Sequence, residues 1–592
     1  MKSIKHYITI FFALLAIGAL AQKAPDAVFH KITKEYTIHK DGSYDFHYYK
    51  KLELNTLFAF NRLYGETFVI YNPKYQSLKI NSSYTITKNG KKVLTPKNAF
   101  NEILPDQAKN FPAYNNIREM VITHTAIEPG ATIYLDYTIK TKKDFIDGFS
   151  LSDNLIENSP ITDMEIIIKT PKGYDLNHKV LNLRTGPEVK ESRKGTEYRW
   201  TFKNLKPIPR EGYVDMLSEP QLLVQKHSDI KEAVRAELDI KNYSFELPEA
   251  LSCKVATITK KSKSDINKIL NIQNYVISSI SGSHLSQKYI GKEVRTIKDI
   301  YESNIATNIE KAFLCAAMIQ HIGIDAQPVL AYNKQGLPII NNNNILVRVA
   351  PKKGEPIYID PTHKNSHNIS YKLSENNIVS LSTQEIIDDK LTELSIINFS
   401  AKIYLDKIVK GEAKLRLDGI VNPYLMLSEK NKKRDNLIYH LNNLIKESEI
   451  ETLTSKTTEV NYKLNTEDYK FEELGSLKSL TLPIVASAIT INDIPTAYKI
   501  RTKALRLPHT INESYKMVIE VPNNECININ TNNKFKCDLG SVSVKVQNKN
   551  GNILIKKKLI IDKKVITPQQ YNDFKKMMDI WFDKNNSKLY FK

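Results

Sequence analysis

Val294-Arg-Thr-Ile-Lys-Asp-Ile-Tyr301, Asn308-Ile-Glu-Lys-Ala312, Asn344-Ile-Leu-Val-Arg-Val349 and Tyr358-Ile-Asp-Pro-Thr362 follow one another between residues 294 and 362. Thr307 and Glu310 have capping-box spacing, so a helix is expected to begin at Asn308. Residues 312–319 are apolar on nearly every side, as in a buried central helix, and Gly323 ends the run. Residues 326–332, 344–350 and 357–360 then read as short strands. By the two-residue period of a strand, Asn344, Leu346 and Arg348 share one face, and so do Tyr358 and Asp360. Antiparallel pairing of the last two strands is expected to bring Asn344 near Asp360, facing the helix start.

In order and separation these phrases resemble the bacterial transglutaminase-like (papain-like) core. The resemblance implies a Cys at the start of the central helix, a His opening one strand and an Asp closing the next inside a Y-x-D-P-T phrase. Here the Cys position is Asn308, the His position is Asn344, and only Asp360 remains. A helix amino end favours negative charge and lowers a thiol pKa. A His on a neighbouring strand takes the proton, and a carboxylate or amide orients that His. An Asn amide at 308 has no ionisable nucleophile, and Asn344 is no base near neutral pH. The resemblance therefore implies a kept fold with its triad chemistry lost.

The remaining cysteines and histidines offer no replacement. Cys315 falls two turns into the helix, away from the dipole end. His321 lies six residues later and shares no face with it. His363 follows Asp360 without a nucleophile nearby, and His363 with His367 lacks a third metal ligand. No CxxC or His/Cys zinc spacing occurs, so neither a metal nor another cofactor is expected.

Upstream, residues 26 to about 225 read as β. Strand-like runs at 32–38 and 44–54 are separated by Lys40-Asp41-Gly42, and runs at 83–87 and 91–94 flank the hairpin signal Asn89-Gly90. Residues 132–139 alternate, with Ile133, Leu135, Tyr137 and Ile139 on one face, and 165–169 and 198–202 continue the series. Many short strands with turns between them suggest a sandwich. The phrases Asn116-Ile-Arg-Glu-Met-Val-Ile122 and Ile127-Glu-Pro-Gly-Ala131, followed by Tyr137, are similar to the uncharacterised β domain that precedes transglutaminase-like modules in exported bacterial proteins. That likeness carries no catalytic residues. Pro207, Pro209 and Gly212 mark the exit. A connector with helix-like and strand-like parts spans 225–250, and amphipathic helices are expected at 262–281 and 297–301.

From about residue 395 the pattern returns to β. Residues 414–417 alternate, and 541–546 and 553–561 flank Asn550-Gly551 as a hairpin. A helical insertion is expected at 436–446. Thr567, Pro568 and Gln570 announce a closing helix over 567–582, with Tyr571, Phe574, Met578 and Trp581 as its apolar stripe.

The chain of 592 residues is too long for one core. A 41% apolar and 25% charged composition is ordinary, so no large block defaults to disorder. Lys2 and Lys5, the apolar run at 7–20 and Ala19-Leu20-Ala21 read as a secretory signal peptide, removed before Gln22. No Cys follows the cleavage point, and no second apolar run of spanning length exists, so no membrane span is expected after cleavage. In an exported chain Cys526 and Cys537, which flank a polar stretch between β-like runs, are candidates for a disulfide. The net charge of +20 comes from scattered lysine pairs and triplets without a basic helix or nucleic-acid motif, so nucleic acid is not an expected partner.

The sequence thus points to a multidomain α+β protein: a signal peptide (1–21), an N-terminal β-sandwich domain (22–225), a degenerate transglutaminase-like domain with its connector (226–394), and a C-terminal β-rich domain (395–592). The expected role is non-catalytic: binding or scaffolding of a peptide, cell-wall or glycan ligand, or an envelope protein, at the periplasm or cell surface, with Asn308, Asn344 and Asp360 as hydrogen-bonding groups. Two alternatives are an active hydrolase or acyl-transfer enzyme with an unrecognised site, and a structural component of an envelope assembly.

Overall fold

The structure, a computed structural model, describes residues 25–283, 285–340, 344–363, 368–405, 409–422, 445–454, 456–466, 472–481, 500–521, 527, 530–549, 552–583, 585 and 588–591. The segment expected to be a signal peptide, His367, Cys526 and Asn550-Gly551 lie outside the described residues. So does most of the expected 436–446 helix, whose last two residues, Ile445 and Lys446, belong to the strand Ile445–Leu453.

The protein is multidomain and strand-rich, with several sheets and a helix near its C-terminus. The N-terminal part is built on an eight-stranded sheet whose centre is Ile161–Pro171, Ala27–Ile38, Tyr44–Leu54 and Thr132–Thr141. Its pairings are antiparallel except for Ala27–Ile38 beside Ile161–Pro171, which runs parallel. Two three-stranded sheets complete this part: Glu66–Tyr71, Arg118–Thr123 and Phe100–Ile103 form one, and Ser150–Asn154, Gln221–Gln225 and Asn177–Leu181 the other. Each packs on its own apolar cluster against the long sheet. Val69 and Ile122 meet Leu135 and Ile139 in one, while Leu222 and Val224 meet Ile32, Ile166 and Trp200 in the other.

The middle part has the central helix Asn308–His321 against a five-stranded sheet, in the order Ile357–Ile359, Asn344–Ala350, Asp325–Asn333, Asn376–Ser380, Ile386–Ile387. Helices Glu249–Thr259, Asp265–Ser279 and Ile297–Ser303 pack on the central helix. Residues 312–319 are fully or almost fully buried, as their unbroken apolar run demands. The C-terminal part is a second eight-stranded sheet, on whose core Tyr571, Phe574, Met578 and Trp581 of the helix Tyr571–Trp581 are buried. The capping box Thr567–Gln570 is present, but its first turn is a 3-10 turn that leads into the helix.

The three parts touch. Phe111, Tyr114 and Ile117 of the N-terminal part form an apolar cluster with Leu285 and Ile290 of the middle part. On another side, Arg506 Nε lies 2.6 Å from Asp215 Oδ1 and Lys503 Nζ 2.6 Å from Glu219 Oε1, joining the exit of the N-terminal part to the C-terminal part.

Candidate site at the start of the central helix

Thr307 caps the central helix. Its hydroxyl accepts from the Glu310 backbone N–H at 3.3 Å, and the Glu310 carboxylate accepts from the Thr307 N–H at 2.8 Å. The short strand Ile305–Ala306 runs into this cap and pairs in parallel with Ser281–Gly282, which fixes the direction of entry. Asn308 is the first helical residue, and its side chain is exposed, with no hydrogen bond among the described residues.

The rest of the first turn points inward. Glu310 is 1% exposed. Besides the cap, its carboxylate accepts from Arg295 Nε at 2.8 Å and Nη2 at 3.0 Å, and from the Tyr114 hydroxyl at 3.0 Å. The Arg295 guanidinium lies over the Phe111 ring, 4.7 Å from its centroid. A buried carboxylate is thus balanced by a two-pronged cation and shielded by aromatic rings from another part of the chain. The Tyr114 hydroxyl is pushed well above its ordinary pKa by burial and by the Glu310 charge.

Lys311 is 4% exposed and sits on the same helical face as Asn308, three residues on. Its ammonium lies against Gly282, where an added Cβ would be 3.6 Å away. Burial lowers the Lys311 pKa, and the Asp360 charge opposes that shift. Lys372, which is exposed, feels the same Asp360 charge. Asp360 follows the strand Ile357–Ile359, and its carbonyl accepts from Gln273 Nε2 at 2.7 Å. One carboxylate oxygen accepts from the Thr362 N–H at 2.8 Å and hydroxyl at 2.6 Å, and the other meets His363 Nδ1 at 3.0 Å. His363 is exposed, and its Nδ1 also lies 2.7 Å from the Thr362 hydroxyl, so this pair opens to solvent.

Asn344 opens its strand opposite Ala331. Leu346 and Tyr358 pack with Val329 and Ile378 in a cluster separate from the central helix, whereas Ile345, Val347, Val349, Ile357 and Ile359 pack with that helix. Leu346 is therefore turned from the body of the helix. Val347 pairs with Ile359, so continuing the ladder sets Asp360 across from Leu346 and diagonal to Asn344. No hydrogen bond joins Asn308 to Asp360 among the described residues. What gathers near Asp360 instead is Lys311, Lys372, Gln273 and His363. Spacing put Lys311 on the helical face of Asn308 without signalling its burial, and nothing local signalled Gln273 or Tyr114.

Cys315 is fully buried, and burial pushes its thiol up to about 12. Cys537 Sγ lies 3.7 Å from Met577 Sδ, and Cys526, its expected disulfide partner, lies outside the described residues. Among the described residues no cluster of three or more His, Cys, Asp or Glu side chains could hold a metal ion, and no helix is long and apolar enough to cross a membrane.

Residues 40–209 match the family described as a domain of unknown function, DUF3857, and residues 478–591 match a second domain of unknown function, DUF3858. The first match falls within the β block that the phrases around Asn116 and Ile127 singled out; the second had no counterpart in the sequence reading. Along nearly its whole length the chain shares its fold with a protein from Parabacteroides distasonis named a "putative protease": the TM-score is 0.71 at 22% identity, covering 96% of this chain and 99% of that one. A "putative cysteine protease" from Cytophaga hutchinsonii aligns at 11% identity over 54% of this chain and 76% of its own, with a TM-score of 0.17. No curated protein matches the chain. The layout is that of a DUF3857 domain and a DUF3858 domain on either side of a helix-and-sheet core.

Proposed function

We propose that this protein is an exported, non-catalytic relative of transglutaminase-like proteins, acting by binding or scaffolding in the bacterial envelope. The observation that carries the reading is the first turn of the central helix. An exposed asparagine amide, Asn308, stands where a thiolate is required, and the one cysteine on that helix, Cys315, is sealed in the core. Without a thiolate the helix dipole has no nucleophile to activate. The protease name of the Parabacteroides protein describes that protein; in this chain the missing thiol argues against the same chemistry. The proposed divisions, 22–225, 226–394 and 395–592, are supported by the separate apolar clusters of the three parts. Export rests on the first 21 residues of the sequence.

In this reading Asn308, Asn344 and Asp360 are remnants of a cleft that still offers hydrogen bonds to a peptide, cell-wall fragment or glycan. Two assays test it. The purified protein is expected to give no covalent adduct with a thiol-directed peptide electrophile at the central helix and no turnover of amide substrates. Equilibrium binding to peptides and cell-wall fragments is expected to weaken in the Asn308→Ala, Asn344→Ala double variant. Amide turnover that persists in Cys315→Ser would refute the non-catalytic reading, and unchanged binding in the double variant would remove the cleft from it.

A further inference from the structure

The core-facing side of the long N-terminal sheet carries residues that a core does not want. Tyr44, Phe46, Tyr48, Lys50 and Leu52 alternate along one face of the strand Tyr44–Leu54, and Ile32, Lys34 and Tyr36 along the same face of Ala27–Ile38. Two lysines at interior positions break the binary pattern, which marks either an error or a site. The two small sheets cover this face only in part. Between them they leave a groove of about 700 Å³, open to solvent, with Thr67 and Val69 on one wall and Ser150 and Asp153 on the other. Lys288 and Tyr289 of the middle part close one end.

The floor is an aromatic pavement. Tyr36 stacks on Phe46 at 4.7 Å, Tyr48 on Tyr137 at 5.1 Å, and Phe149 meets Tyr36 edge-on at 5.2 Å. Tyr36, Phe46 and Tyr48 are only partly buried although protein surrounds them, as expected for the walls of a crevice, whereas Tyr137 and Phe149 are buried. The charges are balanced: Lys34, Lys50 and Lys288 face Glu66, Asp153 and Glu157. Several donors and acceptors are unspent. Lys50 is 6% exposed, and among the described residues its ammonium makes a single hydrogen bond, to the Thr67 hydroxyl at 2.6 Å, which leaves two of its three N–H groups for a ligand. Thr67 in turn reaches His124 Nε2 at 2.9 Å, and His124 Nδ1 is buried without a partner among the described residues. Burial and the Lys50 charge lower the His124 pKa to about 3, which keeps that ring neutral. The Glu157 carboxyl has no hydrogen-bond partner among the described residues, and burial raises its pKa. Lys34 is already bound to Asp153, at 2.7 Å.

We propose that this groove binds a short, uncharged oligosaccharide. A sugar ring has an apolar C–H face for the rings of Phe46, Tyr48 and Tyr137, and a rim of hydroxyls for the Lys50 ammonium, the Glu157 carboxylate and the tyrosine hydroxyls. An acyl chain would leave Lys50 and Glu157 unmatched at a desolvation cost. An acidic or basic chain would meet an unfavourable member of the balanced set. The volume lies inside the roughly 300–1,000 Å³ range of small-molecule sites. This groove is separate from the start of the central helix, so the proposal stands or falls independently of that cleft.

Saturation-transfer NMR and calorimetry on the mature chain with chitohexaose, cellohexaose and maltohexaose, and with polygalacturonate oligomers as the charged arm, test the assignment. At least one neutral hexasaccharide is expected to bind. Phe46→Ala and Tyr48→Ala are each expected to weaken that binding about tenfold, the worth of one ring contact. Lys50→Met is expected to weaken it by a similar factor, while Asn308→Ala with Asn344→Ala leaves it unchanged. Tyr48→Leu, which keeps apolar packing without the flat face, replaces the alanine variant if that variant does not fold. The proposal is overturned if no neutral hexasaccharide binds, if polygalacturonate is preferred, or if folded Tyr48 variants bind as the parent does.

Discussion

Replacing Arg295 by methionine strikes the buried ion pair that holds the start of the central helix. Met keeps most of the apolar stem and removes the guanidinium. Glu310 then retains the Tyr114 hydroxyl and the Thr307 N–H but loses both charge-assisted bonds, at 2.8 and 3.0 Å, in a site where its side chain is 2% exposed. The guanidinium also donates to the Ile305 carbonyl at 2.6 Å and the Ser303 hydroxyl at 3.0 Å, so the strand entering the helix loosens with it. Breaking a buried pair from one side costs about 3–5 kcal/mol, because the remaining charge is uncompensated. Tyr114→Phe removes one hydrogen bond to the same carboxylate and should cost about 1.5–3 kcal/mol. Adding Glu310→Gln to Arg295→Met should recover part of the loss, since the stranded charge is gone. Urea unfolding followed by circular dichroism reads the first transition, and hydrogen exchange reads the first turn of the central helix. A loss below about 1 kcal/mol in Arg295→Met, with unaltered exchange at residues 307–311, would refute the lock.

Glu237 is buried and its pKa is raised by burial to about 7, although Ile340 N–H donates to it at 2.8 Å. The folded state thus holds a proton that the unfolded state has released, so stability falls as pH rises from about 4.5 to about 7, by on the order of 3 kcal/mol. Glu237→Gln should flatten that part of the pH–stability curve; an unchanged slope would contradict the assignment. Native alkylation with iodoacetamide should modify exposed Cys253 and spare Cys315 until the chain unfolds, as peptide mass spectrometry will read. Thr307→Ala should cost about 1 kcal/mol through loss of the helix cap, seen as a lower unfolding midpoint.

What the sequence made legible was short-range. The Thr307–Glu310 box put the helix start at the observed residue, and the alternation over 132–139 marked the buried face of Thr132–Thr141. The helix expected over 262–281 forms as Asp265–Ser279, capped by Ser264. Long-range features stayed hidden. Tyr114 is 196 positions from the carboxylate it contacts, and no local pattern announces such a pair. The parallel pairing of Ala27–Ile38 with Ile161–Pro171 joins residues 132 positions apart. The helix Glu249–Thr259 was missed because it lacks a side-chain cap and its first turn follows a proline. At the site, alternation grouped Asn344 with Leu346 and Tyr358 with Asp360, but only packing reveals which face meets the helix. The inward turn of Lys311 escaped for the same reason. A lysine is normally assigned to solvent, and only Gly282 and Asp360 together make room for this one.

The central claim is that Asn308 and Asn344 occupy a vacated nucleophile and base. The pH dependence of alkylation of a thiol placed at 308 tests it most directly. Asn308→Cys alone should show a pKa below the ordinary value of about 8.5, through its place at the helix amino end. Asn308→Cys with Asn344→His should lower it further, because an imidazolium within reach stabilises the thiolate. An ordinary thiol pKa in both variants, or equal values in the two, would contradict the account.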